Sequence, residues 1–121
     1  MVSEDTVQKA MQIILFSGDA RKNCMEALKA IEVSNFVLAK SKMQAANEQI
    51  VQAHRVQTDA ISAETSGEAG EYSVLFAHAQ DTLMTIYSEI NIAKRMIQIF
   101  ETYEERIQRL EKKMEGREKN E

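Results

Sequence analysis

Tyr72–Met84, YSVLFAHAQDTLM, opens a run that continues to Phe100 and decides how the chain is built. Phe76, Ala79, Leu83, Ile86, Ile90, Ala93, Ile97 and Phe100 recur at steps of three and four. At about 100° per residue they share one side of a helix, the heptad-like seam of a helix packed on its neighbours. A second row, Val74, His78, Asp81, Thr85, Ile92, Met96, Ile99 and Tyr103, falls on roughly the opposite side. Lys94, Arg95 and Glu101, with Asn91 and Gln98, lie largely in the sector between. A helix in a small bundle needs one apolar stripe, and this one has two. The second predicts a subunit interface with His78 and Asp81 near its N-terminal end.

The segments upstream read as two more helices. Ser3-Glu4-Asp5-Thr6 offers capping oxygens and acidic residues suited to a positive helix end, so a first helix begins there. Its seam is Ile13, Phe16, Ala20, Cys24, Ala27 and Ile31, broadened by Met11, Ile14, Met25 and Leu28. Gly18 interrupts it at a cost of ~1 kcal/mol relative to alanine. It marks either a tolerated kink or the close approach of a neighbouring helix or a phosphate, with Arg21 one turn later. Near Val33-Ser34-Asn35 the pattern restarts, with Ser34 or Asn35 as N-cap. The second helix carries Phe36, Ala39, Met43, Ala46, Ile50, Ala53 and Ala60, whose small residues allow close packing. Thr65–Gly70 is a short helix connection, and the third helix is expected from about Glu71 to Met114. Helices of ~45 Å, at 1.5 Å per residue, joined by short turns predict an all-α, up-down-up three-helix bundle.

Composition agrees and excludes much else. The 121 residues contain no proline and four glycines, and show no hairpin signal, so one helical domain is expected over 1–121. Residues 106–121 read as a charged helix end or frayed tail. The single cysteine, Cys24, cannot form an internal disulfide, which suits a reducing cytoplasm. No stretch approaches ~20 uncharged apolar residues, so no membrane insertion is expected. A net charge of −4 argues against nucleic acid as a partner.

Few residues remain for chemistry. Cys24 lies two helices from the histidine stretch and has no motif around it. Ser73 and Ser88 are not on a strand–turn–helix elbow, and there is no glycine-rich phosphate loop. His54 borders the second seam without a metal-ligand companion and reads as structural. What survives is His78, with Gln80 and Asp81 behind it. A neutral imidazole is a competent nucleophile toward phosphorus near neutral pH. Phosphoryl transfer needs mostly positioning and charge compensation, which a partner protein can supply in part. If Asp81 lies near a rotation axis, its symmetry copies repel unless protons or an oxygen-liganded divalent cation intervene.

At these residues a family resemblance emerges. Val74-Leu75-Phe76-Ala77-His78-Ala79-Gln80-Asp81-Thr82-Leu83-Met84 resembles the active-site signature of the enzyme IIA component of the lactose/cellobiose (diacetylchitobiose) branch of the bacterial sugar phosphotransferase system. Ser17–Arg21, Met25–Leu28, Ala53–Thr58 and Gly67-Glu68 are similar to family stretches in the same order, over residues 4 to 105 in all. The resemblance implies a cytoplasmic homotrimer in which His78 accepts a phosphoryl group from the histidine-containing phosphocarrier protein. The group then passes to a cysteine of the IIB protein, and on to a β-disaccharide entering through the IIC permease. It further implies that Gln80 orients His78 or the phosphate. Three copies of Asp81 are implied to hold one divalent metal, magnesium, on the trimer axis. Thr82 stands where the family often has histidine, and the tail beyond about Arg106 is longer than in many relatives. The alternative is a non-catalytic helical adaptor or regulatory protein that uses the same stripe.

Overall fold

The computed structural model describes residues 2–63 and 73–120, with side chains as far as Glu118. Three helices account for almost all of them: α1 (Glu4–Glu32), α2 (Phe36–Ala63) and α3 (Val74–Asn120). No strand occurs among the described residues. The connection expected over Thr65–Gly70 lies outside the described residues.

Local chemistry sets each helix boundary. Ser3 caps α1, its Oγ accepting from the Thr6 amide at 3.1 Å, with Glu4 and Asp5 in the first turn. The far end of α1 closes with a Schellman pair. The Asn35 amide donates to the Ala30 carbonyl at 2.9 Å and the Ser34 amide to that of Ile31 at 3.0 Å. This closure places Ser34 at φ 58°, the left-handed region that glycine usually fills. Asn35, rather than Ser34, is the N-cap of α2, accepting from the Leu38 amide through Oδ1 at 3.1 Å. Ser73 caps α3, its Oγ accepting from the Phe76 amide at 3.1 Å.

The core forms where the three seams meet. From α1 it takes Ala10, Ile13, Ala20, Cys24, Ala27 and Ala30, and from α2 Ala39, Met43, Ala46, Ile50 and Ala53. From α3 it takes Phe76, Ala79, Leu83, Ile86, Ile90, Ala93 and Ile97. Alanine lets the helix axes approach, while Ile13, Ile50, Leu83 and Ile86 fill the volume between them. Truncating one of these large side chains to alanine costs about 2–5 kcal/mol, because the cavity collapses only in part.

Polar contacts between helices record their relative direction. Glu26 pairs with Lys42 and Asn23 with Gln49, so α1 and α2 run in opposite order. Asn47 bonds Lys94 and Lys40 pairs with Glu101, so α2 and α3 do likewise. Arg21 of α1 meets Glu89, and Ser34, just beyond the end of α1, meets Glu104, so α1 and α3 run in the same direction.

Four expectations change. Met11 and Met25 are exposed and do not broaden the α1 seam, unlike Ile14 and Leu28, which pack against the core. Phe100 is about half exposed (48 %), because α1 has nearly ended where it emerges. The third helix begins at Val74, not Glu71, because Ser73 supplies the cap. It also runs past Met114 to Asn120, so of the two readings of the C-terminal segment the charged helix end holds that far. Pairs such as Gln108–Glu104, one turn apart, support that extension.

Candidate functional site

Packing of the apolar seam sets the rotation of α3 and thereby decides what faces outward. With Phe76, Ala79 and Leu83 turned into the core, His78 falls on the solvent side in the second turn. Asp81 follows three residues later on the same side and is also exposed. Among the described residues, no hydrogen bond or ion pair engages the His78 ring or the Asp81 carboxylate. The backbone at His78 is engaged, since Thr82 Oγ1 donates to its carbonyl oxygen at 2.9 Å.

His54, the other histidine, sits differently. Its ring packs edge-on to Tyr87, with centroids 5.1 Å apart and planes at 89°. It is partly buried in the contact between α2 and α3, which agrees with a structural role. Of the two imidazoles, only that of His78 is open to an incoming group.

Gln80 lies two residues beyond His78, about 200° further round the helix. Within one chain it therefore does not share the face of His78, and it is partly buried. The remaining members of the second row, Val74, Thr85, Ile92, Met96, Ile99 and Tyr103, are all exposed. Neither α1 nor α2 covers that stripe.

The Ser17–Arg21 segment separates into distinct parts. A side chain added at Gly18 would meet nothing within 4 Å, so no helix of the same chain approaches closely there. Arg21 is not a free anion site. Its Nε and Nη2 donate to the two carboxylate oxygens of Glu89, each at 2.9 Å. That pairing raises the Arg21 pKa further above its ordinary value. Glu89 was not legible in the sequence as a partner, because 68 residues separate it from Arg21. Cys24 is buried one turn beyond Arg21, and burial, reinforced by the Glu89 charge, pushes its thiol pKa up. A thiol held protonated is a poor nucleophile, as its lack of a motif suggested.

Among the described residues, no three His, Cys, Asp or Glu side chains gather to hold an ion. Asp81 offers one oxygen-donor group, the chemistry a hard cation takes.

The geometry is therefore a three-helix chain that presents one open imidazole beside one free carboxylate on an uncovered helix face. Residues 8–101 match the family model for the lactose/cellobiose-specific IIA subunit of the phosphotransferase system. The chain belongs to that family. This IIA chain is 36 % identical over 100 residues to the lichenan-specific phosphotransferase enzyme IIA component of Bacillus subtilis, covering 83 % of this chain and 91 % of that one. The crystal structure of the cellobiose-specific enzyme IIA from Bacillus anthracis superposes with a TM-score of 0.79 at 38 % identity, covering 86 % of this chain and 94 % of that one. The solution structures of the IIA(Chitobiose)–HPr complex from Escherichia coli superpose at 0.73 with 28 % identity, covering 84 % and 99 %. No helix among the described residues is long and apolar enough to cross a membrane.

Proposed function

We propose that this IIA chain is a cytoplasmic phosphocarrier whose His78 accepts a phosphoryl group from the histidine-containing phosphocarrier protein, HPr, and passes it to a cysteine of the cognate IIB. The observation that carries the reading is the exposed, unpartnered ring of His78, set against the packed ring of His54. Family membership and the HPr complex of a structural neighbour point the same way. In the first transfer, the imidazole lone pair attacks phosphorus as the phosphorus–nitrogen bond of the donor breaks. The electron pair of that bond returns to the donor imidazole. In the second, a IIB thiolate attacks and the His78–phosphorus bond breaks in turn. Such exchanges need positioning more than covalent assistance from the protein. The phosphoryl group ends on a β-disaccharide such as lactose, cellobiose or diacetylchitobiose, carried by a IIC permease.

The subunit, up-down-up as its interhelical contacts support, assembles as a homotrimer through the exposed row on α3. In that assembly three copies of Asp81 supply oxygen ligands to one magnesium ion, which offsets their mutual repulsion. Gln80 lies away from the ring of its own chain, so it orients the imidazole or phosphate of an adjacent copy.

Reconstitution tests the relay. With phosphoenolpyruvate, the two general phosphotransferase proteins and the cognate IIB, label should reach IIB only when the IIA chain is present. His78→Ala should block it. Relay by the alanine variant would overturn the assignment, and a fully folded chain that accepts no phosphate from any donor would favour the adaptor reading.

A further inference from the structure

The family match ends at residue 101, but α3 continues to Asn120. Contacts with the rest of the chain end earlier than the helix does. Lys40 pairs with Glu101 and Ser34 bonds Glu104 at the α1–α2 turn. From Glu104 to Asn120 the helix runs about 24 Å further, at 1.5 Å per residue. An isolated helical segment of that length is marginal in water without a packing partner.

Its sequence carries a regular seam. Met96, Phe100, Tyr103, Ile107, Leu110 and Met114 are spaced 4, 3, 4, 3 and 4 apart, the a/d pattern of a coiled coil. These residues are between 36 and 64 % exposed, so among the described residues no element fully covers them. The seam prolongs the row that bears His78 and Asp81, on the same side of the helix. With Phe100, Ile107 and Met114 at a, and Tyr103 and Leu110 at d, the e positions are Glu104, Glu111 and Glu118. The g positions within the extension include Arg106 and Lys113. In a parallel coiled coil each g residue faces the e residue of the following heptad on its neighbour. That sets Arg106 against Glu111 and Lys113 against Glu118. An antiparallel pairing would instead set acid against acid and base against base.

We propose that residues 103–117 form a parallel, in-register coiled-coil stalk with the same segment of other copies of this chain. The seam gives the contact surface and the e and g charges give the direction. The number of chains, three, rests on the trimer proposed above. The rest of the assembly supplies the high local concentration that so short a stalk needs. The stalk would fix the register of the α3 helices below it, and so the mutual placement of the His78 and Asp81 copies.

Disulfide trapping in the full chain tests this, using a Cys24→Ser background with Leu110→Cys or Met114→Cys. Lys112→Cys, on the outer face, is the control. Mild oxidation should convert most of the Leu110→Cys and Met114→Cys chains into covalent pairs and leave the control largely unlinked. Adding Arg106→Glu with Lys113→Glu should slow linkage, and adding Glu111→Lys with Glu118→Lys to that variant should restore it. Sedimentation of the unoxidised chain separates the two readings. A three-chain mass without linkage at 110 or 114 overturns the stalk and leaves the trimer standing. Linkage with a two-chain mass supports the stalk and contradicts the trimer. A single-chain mass without linkage overturns both.

Discussion

Thr82 Oγ1 donates a 2.9 Å hydrogen bond to the carbonyl oxygen of His78, the residue one helical turn before it. This back-bond occupies the hydroxyl proton of Thr82. In this arrangement Thr82 does not donate to the His78 ring. Replacing it with alanine removes only a local bond, worth about 0.5–1.5 kcal/mol. Thr82→Ala should still take up one phosphate per chain at a rate close to that of the natural protein, as a phosphorylation time course would show. A Thr82→Ala chain that folds normally and accepts no phosphate would assign the hydroxyl a part in the transfer.

Ser17 is fully buried in α1, and among the described residues its Oγ has no hydrogen-bond partner. A buried hydroxyl without a partner carries a desolvation penalty of about 1–3 kcal/mol. Ser17→Ala should therefore raise the unfolding free energy by ~1 kcal/mol, once the small loss of packing is included. Denaturant titration would measure it, and a lower midpoint with an unchanged slope would show that the hydroxyl finds a partner in the assembled protein.

Cys24 gives the protein an alkaline sensitivity. Burial and the Glu89 charge raise its pKa in the folded chain above the unfolded value, which is about 8.5. The stabilising contribution is thus complete below that pH and is lost as the pH rises through the folded value. Cys24→Ala should show a shallower fall in stability between neutral and alkaline pH than the natural chain. Equal slopes for the two proteins would contradict this. The native thiol should also resist alkylating reagents at neutral pH.

Asp81 has no ion-pair partner among the described residues, so the proposed ion should be its principal stabilising contact in the assembly. An ion present at a hundred times its dissociation constant contributes about 2.7 kcal/mol. A chelator should therefore lower the melting temperature of the natural protein and leave that of Asp81→Leu unchanged. Equal responses of the two proteins to chelation would remove the metal from the account.

The fold was legible where periodicity carries it. The α3 seam from Phe76 to Ile97 is buried throughout, because a 3.6-residue period leaves little choice of which side turns inward. Capping was legible at Ser3, where a hydroxyl precedes acidic residues, and half legible at Asn35, because Ser34 offered similar chemistry. The C-terminal segment was half legible: its mixed charges suit a charged helix end or a frayed tail, and it is helical as far as Asn120, while the heptads beneath the charges emerge only once the rotation of α3 is known. Glu89 escaped because no local rule links residues 68 apart. At the site, His78 and Asp81 were found by their place on the second row, whereas the distance of Gln80 around the helix follows from geometry that a linear motif conceals.

The most direct test is the position and number of phosphates on the isolated chain after incubation with phosphoenolpyruvate and the two general phosphotransferase proteins. One acid-labile, base-stable phosphate per chain is expected. Fragmentation should place it on His78, it should persist in His54→Ala, and it should vanish in His78→Ala. A phosphate found on His54, or one that survives replacement of His78, would contradict the account.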